Sequence, residues 1–167
     1  FTTAITQRPV AAGFALRGQA VPLTGESADV ENAGALLAGV PEATRPVRTP
    51  LLPVPGTELW LKPESLQPTG AFKVRGGVAL IAAPSPEERR RGVVTASTGN
   101  HAQSLAWAGA RSEVPVTVVV PVGAPARKVA AVRALGARVV VEGETMCESL
   151  AHAEALALRE GVRMVSP

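Results

Sequence analysis

The second half of the chain alternates short apolar segments with longer amphipathic ones. The apolar segments predict strands at residues 93–96, 116–120, 138–141 and 162–165. Between them, apolar positions spaced three and four residues apart predict helices at residues 100–110, 125–135 and 145–159. Short strands that alternate with helices of this length are typical of right-handed crossover units on a parallel sheet. The predicted fold class is therefore α/β, an open parallel sheet with flanking helices.

The first half of the chain is less regular. Residues 1–28 are punctuated by proline and glycine and predict no long element, so we describe them as a poorly specified leader. A weak helical pattern covers residues 29–37, and alternation predicts a strand with one buried face at residues 58–62. Apolar spacing then predicts a helix at residues 71–82, with Thr69 as its N-cap.

Composition and charge narrow the class of partner. With 46% hydrophobic residues, a chain of 167 can bury a core, and no apolar run approaches the roughly 20 residues that span a bilayer. The net charge of +3 is mild, and the one basic cluster, residues 89–91, follows Glu87 and Glu88 at helical pairing distance. We therefore expect a solvated helix end there, and neither a nucleic acid nor a membrane as partner.

Cysteine and histidine content exclude two kinds of site. Cys147 is the single cysteine, so no internal disulfide can form, which favours a cytoplasmic location. His101 and His152 have no second histidine or carboxylate at metal-ligand spacing, so no metal is expected. The chain also starts without an initiator Met or a signal peptide pattern, and we expect it to be a piece of a longer protein.

Residues 68–77, Pro-Thr-Gly-Ala-Phe-Lys-Val-Arg-Gly-Gly, form the first segment with candidate chemistry. Lys73 begins a predicted helix directly after a glycine turn. Because a helix N-terminus carries partial positive charge, it disfavours the ammonium form, and the neutral amine is a candidate nucleophile toward a carbonyl. This segment alone leaves open an ordinary exposed lysine in a turn.

Residues 95–103, Thr-Ala-Ser-Thr-Gly-Asn-His-Ala-Gln, form the second such segment. A strand passes through a glycine turn rich in hydroxyl groups into a helix. The free amides at the helix start, with the Ser97 and Thr98 hydroxyls, would bind a carboxylate or a phosphate. A plain N-cap formed by one of these hydroxyls is the alternative.

Four ordered motifs carry a resemblance to a known family. The first segment around Lys73 and the second from Ser97 are preceded by Thr49-Pro50-Leu51 and by Leu61-Lys62-Pro63-Glu64. Together they resemble the threonine/serine dehydratases, which are fold-type-II pyridoxal-phosphate-dependent enzymes of the tryptophan synthase beta-like superfamily. The resemblance covers about residues 29–167. Four motifs in matching order are far more specific than one.

The resemblance implies a cofactor, pyridoxal 5'-phosphate, and roles for particular residues. It makes Lys73 the Schiff-base lysine, sets Phe72 beside the cofactor ring and has Asn100 hydrogen-bond the cofactor's 3-hydroxyl. The substrate carboxylate would be held by the loop residues Ser97, Thr98, Gly99, Asn100 and His101. Residues 29–91 would then be part of a larger cofactor domain that carries the lysine, and residues 92–167 a small α/β domain with the carboxylate loop.

The reaction that the resemblance implies is β-elimination. L-threonine or L-serine would give a 2-oxo acid and ammonia, with Lys73 as the general base at Cα. Thr98 stands where racemases of this branch have a serine acid, which favours dehydration over racemisation. Cysteine and threonine synthases usually show Lys-Asp-Arg, whereas this chain has Lys-Val-Arg. The family also suggests a homo-oligomer.

One departure from the family pattern leaves other interpretations open. The family's glycine-rich phosphate-binding loop lies downstream of Pro167, so we expect a C-terminally truncated copy. The alternatives are an inactive fragment that cannot hold the cofactor, or a non-catalytic α/β module used for association. A serine racemase or a threonine synthase-like enzyme is a further alternative.

Overall fold

The computed structural model describes residues 34–166 and, before them, the backbone of three short strands. The strands are β1 (Thr3–Thr6), β2 (Phe14–Leu16), β3 (Gln19–Val21), β4 (Leu52–Pro53), β5 (Leu59–Lys62), β6 (Val93–Ala96), β7 (Val116–Val120), β8 (Arg138–Val141) and β9 (Arg163–Met164). The helices are α1 (residues 34–39), α2 (Lys73–Ala82), α3 (Pro86–Arg91), α4 (Asn100–Arg111), α5 (Ala126–Ala134) and α6 (Met146–Glu160).

A four-stranded parallel sheet forms the centre of the second half, with the strand order β8-β7-β6-β9. The register pairs Ala96 with Val119 and Val120 with Val141. This sheet confirms the predicted fold class. Its strands and its helices α4, α5 and α6 begin and end within about two residues of the sequence-based boundaries.

Alternate residues of the central strands pack against helices on opposite sides of the sheet. Val118 belongs to a buried cluster with Leu105 of α4, whereas its neighbour Val119 packs with Leu156 of α6. Since successive side chains of a strand point to opposite faces, a strand covered on both sides reads as a continuous apolar run. The sequence Val-Thr-Val-Val-Val of β7 has this character.

Helix α2 packs against α4 on the outer side of this layer. A Cβ atom added at Gly77 would lie 2.8 Å from the backbone and Cβ of Ser104, so only glycine permits this approach. Trp107 of α4 is 5% exposed and belongs to the core. Trp60 is only half-buried and lies in β5, which belongs to a separate sheet.

The first half of the chain contributes two antiparallel sheets, one of three strands and one of two, whose pairing the sequence did not predict. Strand β5 pairs with β1 on one side and with β4 on the other, and β2 pairs with β3. The leader therefore contains strands, although each has only three or four residues. The first part of the helix predicted at residues 29–37 lies outside the described residues.

The start of α2 differs from the prediction. Gly70 adopts φ of +67°, residues 70–72 form a turn, and the helix begins at Lys73. Thr69 is therefore too far upstream to cap it, and its Oγ1 is buried without a hydrogen-bond partner. No helix in the described part of the chain is long and apolar enough to cross a membrane.

Candidate active site

Lys73 is the first residue of α2 and is half-buried. Its Nζ lies 5.7 Å from the centroid of the Phe72 ring, which is 53% exposed. The ion pairs found among the described residues do not include Lys73. Within the part of the chain that the structure describes, the Lys73 amine thus makes no ion pair, and it lies beside an exposed aromatic ring.

The second predicted segment forms a turn at the carboxyl end of β6. Ser97 donates its amide to Val119 O at 3.3 Å, and its Oγ accepts the Gly99 amide at 3.2 Å. Gly99 is the N-cap of α4, and no side chain caps this helix. The alternative of a plain hydroxyl cap is thus wrong, and the first amides of α4 have no partner inside the helix.

His101 connects this turn with Lys73. Its side chain is 8% exposed, and its Nε2 is buried without a hydrogen-bond partner. Burial lowers the pKa of His101, and the positive charge of Lys73 lowers this pKa further. The helices that carry the two segments, α2 and α4, also approach each other closely, because a Cβ added at Gly77 would lie 2.8 Å from Ser104.

The packing of α2 on α4 explains this proximity. Gly77 lies one turn after Lys73, Ser104 lies about one turn after His101, and these two residues meet at the close approach of the helices. Ser104 Oγ donates to the His101 carbonyl at 2.7 Å, which fixes the first turn of α4. Thr98, Gly99 and Asn100 lie at the same edge and are partly exposed.

A buried polar network, which sequence analysis missed, lies behind the first turn of α2. Glu64 is 4% exposed and accepts hydrogen bonds from Arg75 Nη2 at 2.8 Å and Arg75 Nε at 2.9 Å. Thr49 Oγ1 donates to the same carboxylate at 2.6 Å. The hydrogen bonds from Arg75 lower the pKa of Glu64 to about 2, although burial opposes this change, and the Thr49 bond contributes to it.

The network joins three of the sequence motifs. Lys62 Nζ donates to the Thr49 carbonyl at 3.0 Å, and Gln67 exchanges two hydrogen bonds with the backbone of Val47. The segments at Thr49, at Lys62 to Glu64 and at Arg75 are thereby tied to the helix that carries Lys73. Their residues are visible in the sequence, but their pairing is not, because they are distant along the chain.

The described residues contain no group of three or more metal-ligating side chains. The groups at the junction of α2 and α4 are a lysine amine, an exposed aromatic ring, a buried imidazole and the open N-terminus of a helix. A carbonyl compound with a carboxylate is the class of ligand that these groups suit.

Comparisons with known proteins show the family to which the chain belongs. Residues 44–167 match the family model described as pyridoxal-phosphate dependent enzyme. An L-threonine ammonia-lyase of Thermotoga maritima is 46% identical over 114 residues, which are 68% of this chain and 28% of that protein. The chain belongs to the family of pyridoxal-phosphate-dependent enzymes.

Two solved structures show how the fold is related. Threonine deaminase isoform 2 from Solanum lycopersicum superposes with a TM-score of 0.77 and 31% identity, covering 92% of this chain and 48% of that one. Maize serine racemase superposes with a TM-score of 0.74 and 29% identity, covering 83% and 43%. The chain thus spans less than half the length of either enzyme.

The residues at the junction fit the cofactor of this family. Pyridoxal phosphate presents an aldehyde and a flat ring, and Lys73 with the exposed Phe72 ring offers an amine beside an aromatic surface. The buried Nε2 of His101, which lacks a partner here, leaves a polar position to be filled at the same place. The cofactor of the family is therefore chemically matched to the side chains present.

Proposed function

We propose that this chain is the part of a threonine/serine ammonia-lyase that carries the cofactor lysine and the substrate carboxylate loop. The reaction is β-elimination of L-threonine or L-serine to a 2-oxo acid and ammonia. The observation that carries the proposal is the close packing of α2 on α4, which brings the helix that begins at Lys73 against the helix whose first turn has no side-chain cap. The dehydratase and ammonia-lyase relatives support this choice of reaction.

Each residue at the junction has a part in this proposal. Lys73 would hold the cofactor through its amine and would act as the general base at the substrate Cα. Phe72 and Asn100 would hold the cofactor ring, Phe72 beside the ring and Asn100 at its 3-hydroxyl. The bound cofactor supplies the electron withdrawal that makes the Cα proton acidic.

The turn at the end of β6 orients the substrate. Its carboxylate is bound by Ser97, Thr98, Gly99, Asn100 and His101, with the open amides of α4 as donors. A fixed carboxylate directs the Cα–H bond toward the Lys73 amine. Burial and the nearby charge of Lys73 lower the pKa of His101, which favours its neutral form beside the amine proposed as the base.

Serine racemisation is the second candidate activity, because maize serine racemase has a similar fold over 83% of this chain. Thr98 favours elimination, since the racemases of this branch have a serine at that position. A non-catalytic association module is the remaining alternative, and it assigns no role to the Lys73 amine.

The proposed division places residues 29–91 in a cofactor domain and residues 92–167 in a small domain. The homo-oligomeric state and cytoplasmic location stay predictions.

Borohydride trapping tests the cofactor site. The chain is mixed with pyridoxal phosphate, reduced and mapped by mass spectrometry, alongside Lys73→Ala and the control Lys128→Ala, whose lysine is exposed on α5. We expect the reduced adduct on Lys73, its loss in Lys73→Ala and its retention in the control. An adduct that survives Lys73→Ala would refute the assignment.

Product analysis then tests the reaction. Ammonia and 2-oxo acid are measured from L-threonine and L-serine, and D-serine is measured by chiral chromatography. We expect ammonia to exceed D-serine and to depend on Lys73. An excess of D-serine would establish the racemase instead, and a trapped adduct without any product would leave the family assignment intact while removing the proposed reaction.

A further inference from the structure

A cleft with an excess of positive charge lies beside the Glu64 network. It encloses about 280 Å³ between the end of α1 and the start of the antiparallel sheet, and its cationic lining is Arg45, Arg48, Lys62 and Arg75. A second cavity of about 430 Å³ is also lined by Arg48 and Lys62, so the two cavities border the same side chains. We call the two cavities together the basic cleft.

The charges of the basic cleft are not balanced within the described residues. Glu64 is the carboxylate in contact with this group, and its two oxygens are bound by Arg75 at 2.8 and 2.9 Å. Lys62 Nζ stands farther from Glu64, at 3.8 Å. Among the described residues, four cations stand against one ionised carboxylate. Arg45 and Arg48 are exposed, so water screens part of the repulsion, and a bound anion would reduce the rest.

The donors that face the cleft are only partly used. Arg45 Nη2 donates to the carbonyls of Ala38 and Val40 at 2.9 and 3.0 Å, which holds this side chain against the end of α1. Arg48 has no side-chain hydrogen bond or ion pair within the described part of the chain, and it lines both cavities. The smaller cavity is therefore lined both by Arg45, which is fixed by hydrogen bonds, and by Arg48, whose donors are not used by the described residues.

The basic cleft lies on the other side of α2 from the proposed cofactor site. Lys73 and Arg75 are two residues apart, so they project about 200° apart around the helix. The charge of Lys73 acts on His101, whereas the guanidinium of Arg75 is bound to Glu64. An anion in the cleft would not contact the Lys73 amine.

We propose that the basic cleft binds the phosphate group of a small phosphorylated molecule. Arginine forks match phosphate oxygens, and a dianion suits three unbalanced positive charges better than a single carboxylate. The space of about 430 Å³ in the larger cavity holds an organic group attached to the phosphate, within the range of small-molecule sites. This site is additional to the proposed function and independent of it.

Calorimetric titration of the chain at low salt tests the proposal, with inorganic phosphate and glycerol phosphate as probes. Arg48→Gln removes a cation that makes no hydrogen bond in the fold, and Arg127→Gln, exposed on α5, is the matched control. We expect saturable binding, tighter for glycerol phosphate, that Arg48→Gln weakens about tenfold or more and Arg127→Gln leaves unchanged. Lys73→Ala should also leave it unchanged, which separates this cleft from the cofactor site.

Three outcomes would overturn the proposal. The absence of saturable heat with both probes would show that the charges are balanced in another way. Equal weakening by Arg48→Gln and Arg127→Gln would show diffuse attraction to a basic surface. Loss of phosphate binding in Lys73→Ala would move the binding to the cofactor site, while borohydride trapping at Lys73 would be unaffected by the failure of this proposal.

Discussion

The substitution Glu64→Gln tests how much the buried polar network contributes to stability. The change keeps the shape of the side chain but removes its charge, and its amide can no longer accept at both oxygens from Arg75. Lys62 and Arg75 then lose their shared counter-ion. We expect a clear loss of stability because a charged partner is left uncompensated next to a buried position.

The magnitude follows from the pKa of Glu64. The ordinary pKa is 4.5 and the pKa in the folded protein is about 2, so folding stabilises the ionised form of the Glu64 carboxylate. This difference corresponds to about 3 kcal/mol at neutral pH. Arg75 and Lys62 are 32% and 30% exposed, so water screens part of the effect, and we expect about 2 to 3 kcal/mol.

The direction of the Glu64 pKa shift determines how the stability of the protein depends on pH. A lowered folded pKa contributes stability that is complete above pH 4.5 and is lost as the pH falls toward 2. The difference in the free energy of unfolding between the parent and Glu64→Gln should therefore be largest at pH 7. At pH 3 it should be under about half of that value.

Urea denaturation followed by circular dichroism at pH 7 and pH 3 measures this difference. In a thermal melt at pH 7, the melting temperature of Glu64→Gln should lie roughly 4 to 12 °C below that of the parent. Glu154→Gln, which changes an exposed glutamate of α6, is the control and should shift neither quantity appreciably. A difference that is equal at both pH values, or that is absent at pH 7, would refute the electrostatic reasoning.

Two further substitutions test packing and capping. Gly77→Ala places a Cβ 2.8 Å from Ser104 and should cost about 1 to 3 kcal/mol in thermal melts, whereas Gly76→Ala, with open space around it, should be neutral or stabilise the helix. Equal melting temperatures for both variants would contradict the close approach. Ser85→Ala removes the capping box with Glu88 and should destabilise α3 by about 1 kcal/mol. Faster hydrogen exchange of the α3 amides would show this loss, and unchanged exchange would show that the cap contributes nothing.

The parallel sheet could be predicted because its signals are local. Each of its strands is a short apolar run, and each intervening helix shows its own periodicity, so the alternation indicates a parallel sheet with crossover helices, although not the strand order. The antiparallel sheet could not be predicted in the same way. Strand β1 pairs with β5 across more than fifty residues, and short strands acquire their stability from pairing that the local sequence does not encode.

The sequence singled out the two segments of the candidate site, but it did not reveal the polar network that lies behind α2. Lys73 and the turn from Ser97 stood out because each combines a glycine turn with a helix start. The Glu64 and Arg75 pair did not stand out, because charged residues in separate elements give no periodic signal. The cap expected from Thr69 failed for a related reason, since the positive φ of Gly70 delays the helix.

The placement of the two tryptophans makes the chain its own optical reporter. With no tyrosine in the sequence, the indole emission comes from Trp60 in the antiparallel sheet and Trp107 in the core beside the parallel sheet. The guanidinium of Arg111 lies 4.3 Å from the Trp107 ring centroid, so the two fluorophores have different surroundings. Emission spectra recorded during unfolding therefore report on both sheets. Two separated spectral transitions would show that the two halves unfold independently.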